Sequence, residues 1–473
     1  MGTKIEGKTR SDSRRAMLVL VCAAGAALLL SGCSTSAVPF SKPPTTAGAS
    51  AGQGTVTGGQ QPISGATIQE YEAGTTGYGS AATLVTSTTT SATGTFSLPY
   101  PTSTTCPNPG DSPGTSGNPD IYVVATGGMP TGAGSGITNT NLIMMIGLGP
   151  CSGITSTLLP HFRMNELTTI ATVWSLSGFM TGPTNIGAPS TNTTGLNNAF
   201  AAINEVVDIQ TGVLSSTSGV TLPTTEINAL GNMLQNCVNS AGGSASDTTD
   251  GHTNGTTCGK LFYLATPPSG TAPADTVTAL LNIARHPGLN TAYLNDLQSS
   301  TPAFSPALNV NSPPADWTIA INFTGGGLKN PQSIAVDGSG NVWVTNPSGN
   351  SVTELSNTGA ADSGSSGYTA GGNLDGPYGI AIDQNGLPWV TNSGNNTLTQ
   401  LTLSGGSNFT STSGLGGLDT PEGIAVDGAD NIWVVNNGSG TLSGFTNAGG
   451  ALTNSPYSGG GLSSPSSIAV NPK

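Results

Sequence analysis

Apolar and polar positions along the chain fall into four successive patterns. An unbroken apolar run fills Ala16 to Leu30. Short alternating or apolar stretches between Gly and Pro breaks follow, at Gln60 to Tyr71 (QQPISGATIQEY), Ala92 to Tyr100 (ATGTFSLPY) and Ile121 to Gly128 (IYVVATGG), and these predict β-strands. From about Pro160 to Ala307 the period lengthens. Leu167, Ile170, Ala171 and Trp174 stand at i, i+3, i+4 and i+7, the spacing of one buried helical face. Phe200, Ile203 and Val207 repeat it, as do Ile227, Leu230, Leu234 and Cys237. A further helix carries Val277, Leu280, Leu281 and Ala284 inward until Pro287 and Gly288 end it.

The fourth pattern is a repeat. PQSIAVDGSGNVWVTN (Pro331 to Asn346), PYGIAIDQNGLPWVTN (Pro377 to Asn392) and PEGIAVDGADNIWVVN (Pro421 to Asn436) are followed by PSSIAVN from Pro465, with the prolines 46, 44 and 44 residues apart. In each copy IAV or IAI predicts an inner strand, a four-residue tip reverses the chain, and a second strand forms around Trp343, Trp389 or Trp433. SVTELS, TLTQLT and TLSGFT alternate as a third strand should, and the Gly-rich stretch after each leaves room for a fourth. Four strands in this length make one propeller blade. Three blades and one inner strand do not close a ring, and closure is how propellers protect their edges. The shortfall is expected to reflect a truncated reading frame, with an open arc or closure by another chain as the alternatives. Trp317 to Phe323 (WTIAINF) is expected to add an outer strand.

The phrase GIAVD, GN.WV.N resembles the NHL repeat and the streptogramin-lyase-type propellers, from about Ala315 to Lys473. In the strand-rich region Pro62, Gly65, Ala66, Ile68, Thr93, Gly94, Phe96, Tyr122, Val123 and Ala125 resemble the carboxypeptidase regulatory-like, transthyretin-like sandwich modules, which implies a spacer or adhesive unit.

The N-terminal segment changes the cellular setting. Lys4, Lys8, Arg10, Arg14 and Arg15 precede the apolar run of 15 residues, too short to span a bilayer, so the segment reads as a signal peptide. Leu30 to Cys33 (LSGC) resembles the bacterial lipobox, which implies cleavage before Cys33 and a lipid anchor there. Ser13 to Leu18 also looks like a twin-arginine signal. Ser34 is not Asp, and by resemblance this implies an outer-membrane or cell-surface destination. Ser34 to about Gly54 reads as a flexible tether with a reach on the order of 25 Å.

Removing the signal takes five of the 11 basic residues and two of the 24 acidic ones, leaving six against 22 and a net charge of −16. Nucleic acid is thereby excluded as a partner, because phosphate binding needs a basic surface. Cys106, Cys151, Cys237 and Cys258 remain, an even set suited to two disulfides in an exported chain. Three pairings are possible. The pairs Cys106 with Cys151 and Cys237 with Cys258 are favoured because each stays within one composition block, and the second closes a loop of 20 residues, stabilising by roughly 3 kcal/mol. Zinc is the alternative, weakened by the absence of CxxC and the isolation of His252.

The chain therefore reads as a mainly β, multi-domain protein: 1–33 signal, 34–54 tether, 55–158 β-sandwich, 159–311 small α-helical region, and 312–473 an incomplete NHL-like propeller, with Ser312 to Ala315 (SPPA) as the linker.

Candidate chemistry is sparse. The tip carboxylates Asp337, Asp383 and Asp427 suit caps for turn N–H groups. A calcium loop is the sharper reading of these with Asp430, but one Asp per tip supplies too few convergent oxygens. The GxSxG matches GASAG and GDSPG lie in the tether and a Pro-rich loop, without the strand-turn-helix a nucleophile needs. The resembled lyases use a propeller His with a metal, whereas the three His here, at 161, 252 and 286, all precede the repeats. No catalytic, metal or cofactor residue is therefore assigned.

Binding is better placed. The expected face displays Asn346, Asn392 and Asn436, with Asn350, Asn395, Asn396 and Asn437, around a mouth formed by Gln332, Tyr378, Glu422 and Ser466. Amides, hydroxyls and few charges suit a sugar or a peptide backbone. The plain alternative is that Asn and Gly are there because turns need them. The function expected is a non-catalytic surface lipoprotein, held at the membrane by its anchor and binding protein or glycan. A degenerate or metal-dependent propeller enzyme and a purely structural envelope protein are the alternatives.

Overall fold

Strand β1 (Ala51–Gly58) is the hub of the first sheet. It pairs antiparallel with β5 (Thr95–Pro99), parallel with β9 (His161–Met164), and antiparallel with β2 (Gln61–Ser64), which in turn pairs with β7 (Met129–Pro130). Gly59 and Gln60 join β1 to β2 with φ of 54° and 66°, the mirror-image turn that suits a tight hairpin. The computed structural model describes residues 51–471, so the expected signal peptide, Cys33 and the tether up to residue 50 lie outside the described residues. Residues 51–54, expected as the last part of the tether, are strand. Its composition hid this, because pairing uses the backbone and Gly54 must be small: a Cβ there would lie 2.0 Å from the Phe96 ring.

A second sheet has the order β4 (Thr83–Thr89), β3 (Thr67–Glu72), β6 (Asp120–Thr126), β8 (Ile143–Pro150). Strand β8 is an edge, and helices cover it. Helix α1 (Glu166–Leu176) begins at Asn165, whose side chain accepts from the Thr168 amide while the Thr168 hydroxyl accepts from Asn165 N–H. Its Thr169 and Thr172 hydroxyls accept the outward N–H groups of Met145 (3.2 Å) and Gly147 (3.1 Å). Thr276 of α5 (Thr276–Arg285) accepts that of Ile143 at 2.8 Å. Alternate residues of the edge strand are thus satisfied by hydroxyls, which removes a template for foreign strands.

That arrangement corrects the expected division at residues 158 and 159. Strand and helical regions share one hydrophobic core, running from Val56 and Ile68 through Ile170, Phe200 and Leu230 to Trp317. Helix α2 (Thr193–Val206) buries Phe200 and Ile203, and α3 (Thr224–Val238) buries Ile227, Leu230, Leu234 and Cys237, as their spacing predicts; α4 (Thr257–Leu264) adds Leu261 and Phe262. On α5, Ile283 is buried and Ala284 is half-buried. The disulfides are Cys106–Cys151 and Cys237–Cys258, the favoured pairing. Trp317 is buried in this same core, donating its backbone N–H to Pro287 O and accepting at its carbonyl from Trp174 Nε1. Asn322–Phe323 pairs with Val220–Thr221, so this segment closes the helical region and is no blade strand.

Three blades follow. In each, an inner strand pairs antiparallel with the Trp strand and that with a third: Ile334–Val336, Val342–Asn346, Ser351–Leu355; then Pro377–Ile382, Pro388–Asn392, Thr397–Leu401; then Pro421–Val426, Ile432–Asn436, Thr441–Phe445. Blade 2 has a fourth strand, Ser407–Thr410. In blades 1 and 3 its place is marked by two isolated bridges each, Val352 with Tyr368 and Leu355 with Ala361, then Leu442 with Tyr457 and Phe445 with Ala451. The sheets do not close a ring. One apolar core lies between blades 1 and 2 around Trp343, Ile380 and Leu401, and another between blades 2 and 3 around Trp389, Val434 and Phe445.

Candidate functional site

The Asp at each tip does two tasks at once. Asp337 Oδ1 accepts from Ser339 and Asn341 N–H, Asp383 Oδ1 from Asn385 and Leu387, and Asp427 Oδ1 from Ala429 and Asn431. The other oxygen accepts the indole N–H six residues on: Trp343 at 3.2 Å, Trp389 at 3.0 Å, Trp433 at 2.9 Å. The indole bond, then the Asn431 contacts, hold Asp427 down to about 2 against the opposing effect of burial. The capping reading of these carboxylates is the one their geometry supports.

Between blades 2 and 3 the tips are tied together. Gln400 Nε2 and Asn447 Nδ2 donate to Asp383 Oδ2, Asn447 also bonds Asp430, and Gln384 N–H donates to Asp430 Oδ1 at 3.0 Å. Sequence reading passed over Gln400 and Asn447, which lie outside the repeated phrase.

The opposite end of the inner strands is the expected mouth, and there the structure divides the expected residues into two groups. Asn346, Asn392 and Asn436 are buried and form no surface. Their Nδ2 groups donate to Thr353, Thr399 and Ser443 hydroxyls at 2.8 to 2.9 Å. Their Oδ1 atoms accept the Lys329, Asp375 and Asp419 amides. An amide at this strand end satisfies backbone groups that would otherwise be buried unpaired. Asn350 and Asn396, at φ of 47° and 60°, likewise accept the Gly376 and Thr420 amides of the following blade. Turn and tie chemistry accounts for these five residues.

Gln332, Tyr378, Glu422 and Ser466 form the other group. Gln332 and Ser466 are exposed, and Tyr378 and Glu422 half-buried. Tyr378 and Glu422 occupy one register on successive inner strands because backbone ties fix it, Thr345 Oγ1 donating to Tyr378 O and Thr391 Oγ1 to Glu422 O, each at 2.7 Å, while Gln332 and Ser466 stand at the corresponding place of the repeated phrase. A Cβ on Gly379 would lie 2.3 Å from Glu422 O, so only glycine permits this approach. Gly423 stands in the same way against Ser466 O, at 2.8 Å. The side chains at this register offer an amide, a phenol, a carboxylate and a hydroxyl. Such a row can donate and accept hydrogen bonds along a groove.

Elsewhere, several acids are buried, and one of them, Glu166, accepts the Gly59 amide at 2.7 Å. Glu70 faces an inter-sheet cleft lined by Leu98, Tyr100, Leu148, Ile154 and Phe162, about 250 Å³ including space open to solvent. Burial, then the charge of Glu72, pushes its carboxyl up to about 7. Burial likewise pushes Asp120 up to about 7 and Glu166 up to about 8. In the blades Glu354 is raised by burial, opposed by the Tyr368 hydroxyl donating to it at 3.0 Å. Among the described residues no group of three or more His, Cys, Asp or Glu is placed to hold a metal ion.

No family description and no curated protein matches the chain. Solved structures similar to part of it include a catalytically inactive virginiamycin B lyase from Staphylococcus aureus with quinupristin, at 19% identity and TM-score 0.26, over 28% of this chain and 44% of that one. A streptogramin B lyase matches at 20% identity and TM-score 0.28, over 32% and 48%. A Bacteroides caccae protein of unknown function matches at 14% identity and TM-score 0.23, over 29% and 48%. The chain thus spans less than half the length of each. Its blades are recognisable from their own sheet order and register.

Proposed function

We propose that the protein is a non-catalytic binding scaffold of the bacterial envelope, exported and lipid-anchored at Cys33, that presents its blades to a protein or glycan ligand. The observation that carries this reading is the row Gln332, Tyr378, Glu422 and Ser466. Tyr378 and Glu422 tie blade to blade through their backbone carbonyls, and all four positions keep polar side chains at least partly exposed. Hydrogen-bonding groups with a phenol and little charge suit sugar hydroxyls or peptide amides. The lipobox resemblance at Leu30 to Cys33 supports the anchor, and the acidic balance of the chain argues against nucleic acid.

Two measurements test it. Screening the exported protein against envelope glycans and extracted surface proteins should find a ligand whose affinity falls on the order of tenfold or more for Tyr378→Ala or Glu422→Ala, while Gln384→Ala at the opposite tips leaves it unchanged. Binding indifferent to both mouth substitutions would overturn the assigned face. Metabolic labelling with a radioactive fatty acid should mark the wild type and spare Cys33→Ser, and label retained by that variant would overturn the anchor.

A further inference from the structure

The cleft between the first two sheets combines a buried acid with apolar walls. Glu70 of β3 lines it together with Leu98 of β5, Phe162 of β9 and Leu148 of β8. Glu70 is only 4% exposed, and its Oε2 has no hydrogen-bond partner among the described residues. A carboxyl placed so costs free energy unless something bonds to it. Ile68, two residues back and therefore on the same face of the strand, is an ordinary core residue, so packing alone does not call for an acid here. None of the described residues lining the cleft is Lys, Arg or His, and the charge that acts on Glu70 is that of Glu72, also negative. The volume of about 250 Å³, including space open to solvent, lies below the range of about 300 to 1,000 Å³ typical of sites for drug-sized ligands. An occupant of this cleft is therefore short.

We propose that this cleft binds a primary alkylammonium group, its short apolar chain lying among Leu98, Leu148 and Ile154 and its ammonium donating to Glu70. The chemistry follows from what the cleft offers and what it lacks. An ionised carboxylate only accepts, so the ligand must bring the donor. With Glu72 nearby and no cation among the lining residues, a positive donor is favoured over a neutral one, and an anion is repelled. Aromatic rings attract a cation over their faces, and Tyr100 and Phe162 both line the walls. Tyr100 is held there by its hydroxyl, which donates to Leu159 O at 3.5 Å. Burial, then the charge of Glu72, pushes the Glu70 carboxyl up to about 7, and an ammonium against it favours the charged form. The same group is carried by a lysine side chain of another protein and by a free amine, and the cleft recognises what the two share.

Titrating the methyl-labelled exported protein, carrying Cys33→Ser, in NMR experiments tests the proposal, with n-pentylamine, 1-pentanol and pentanoate as probes of similar length and different charge. The amine should shift the Leu98, Leu148 and Ile154 methyl signals saturably in the millimolar range. It should bind on the order of tenfold or more tighter than the alcohol, and the carboxylate should not bind. Glu70→Gln keeps the shape of the side chain and should reduce the amine to the affinity of the alcohol. The comparison among the probes is made on the unsubstituted cleft, so it stands however that variant folds. Nα-acetyl-lysine methylamide separates the two sources: shifts of the same methyls assign the cleft to a lysine side chain, and their absence beside a binding amine assigns it to a free amine. Equal binding of amine and alcohol, amine binding that survives Glu70→Gln, or no saturable shift at these methyls would each overturn the proposal.

Discussion

Residues 51–323 and the blades that follow solve the same problem of burying apolar surface in opposite ways. In the first region every contact is made once: β1 joins three partners, α1 and α5 seal one sheet edge, and two disulfides pin the whole to a single core. In the blades a few contacts recur, with Asp to Trp at each tip and Asn to a hydroxyl at each strand end. The difference teaches how far a residue's role can be checked internally. A repeated role is tested at each recurrence, and a departure from it, such as half-buried Trp433, acquires meaning by contrast.

The sharpest way to break the comparison is to remove the same side chain at two places. Trp389→Ala should cost about 3–5 kcal/mol in urea unfolding, because it empties a filled interblade core, and the half-buried Trp433→Ala distinctly less. Equal costs would show that burial between blades does not set their stability.

Acidity should separate the regions next. Glu70, Asp120 and Glu166 sit above their ordinary values of 4.5, 3.8 and 4.5 when folded, so folding retains their protons. Their contribution is complete below about 4 and is lost as pH rises through about 7 to 8. Asp427 is shifted the other way, and its contribution is lost as pH falls from about 4 through 2. Melting followed across pH should therefore show the first region loosening on the alkaline side and the blade tips on the acid side. Glu166→Gln should flatten the alkaline slope, and an unchanged slope in that variant would remove Glu166 from the account.

The smallest effect concerns the ties between blades. Thr345 and Thr391 each reach the next blade's carbonyl, whereas Val435 holds the same place in blade 3. Thr391→Val should cost about 1 kcal/mol, and Val435→Thr should be close to neutral. Thermal unfolding of the two variants side by side would sharpen the contrast between blades 2 and 3.

Where the chain repeats itself, the architecture was legible: strand order, tip capping by Asp and the place of each Trp all follow from the phrase. Disulfide partners were legible from composition blocks. The role of Asn346, Asn392 and Asn436 was not, because an Asn after a strand looks the same whether it faces water or is folded back onto a hydroxyl. The mouth register of Tyr378 and Glu422 was readable, because it depends only on strand order. Residues 51–54 were missed since glycine and glutamine give no alternation, and their strand exists only through partners at 95–99 and 161–164. The shared core was missed for a related reason. A helical period reports that a face is buried, and it is silent on whether helix or sheet buries it.

The hydroxyls along β8 also set an order of events during folding. Met145 and Gly147 can be satisfied by a helix that begins some 20 residues later, but the Ile143 amide waits for Thr276, 133 residues further along the chain. Closing so long a loop is slow compared with local structure formation. A nascent chain therefore passes through an interval in which one end of this edge is sealed and the other still offers an unpaired amide, and the supply of α5 determines how long that interval lasts.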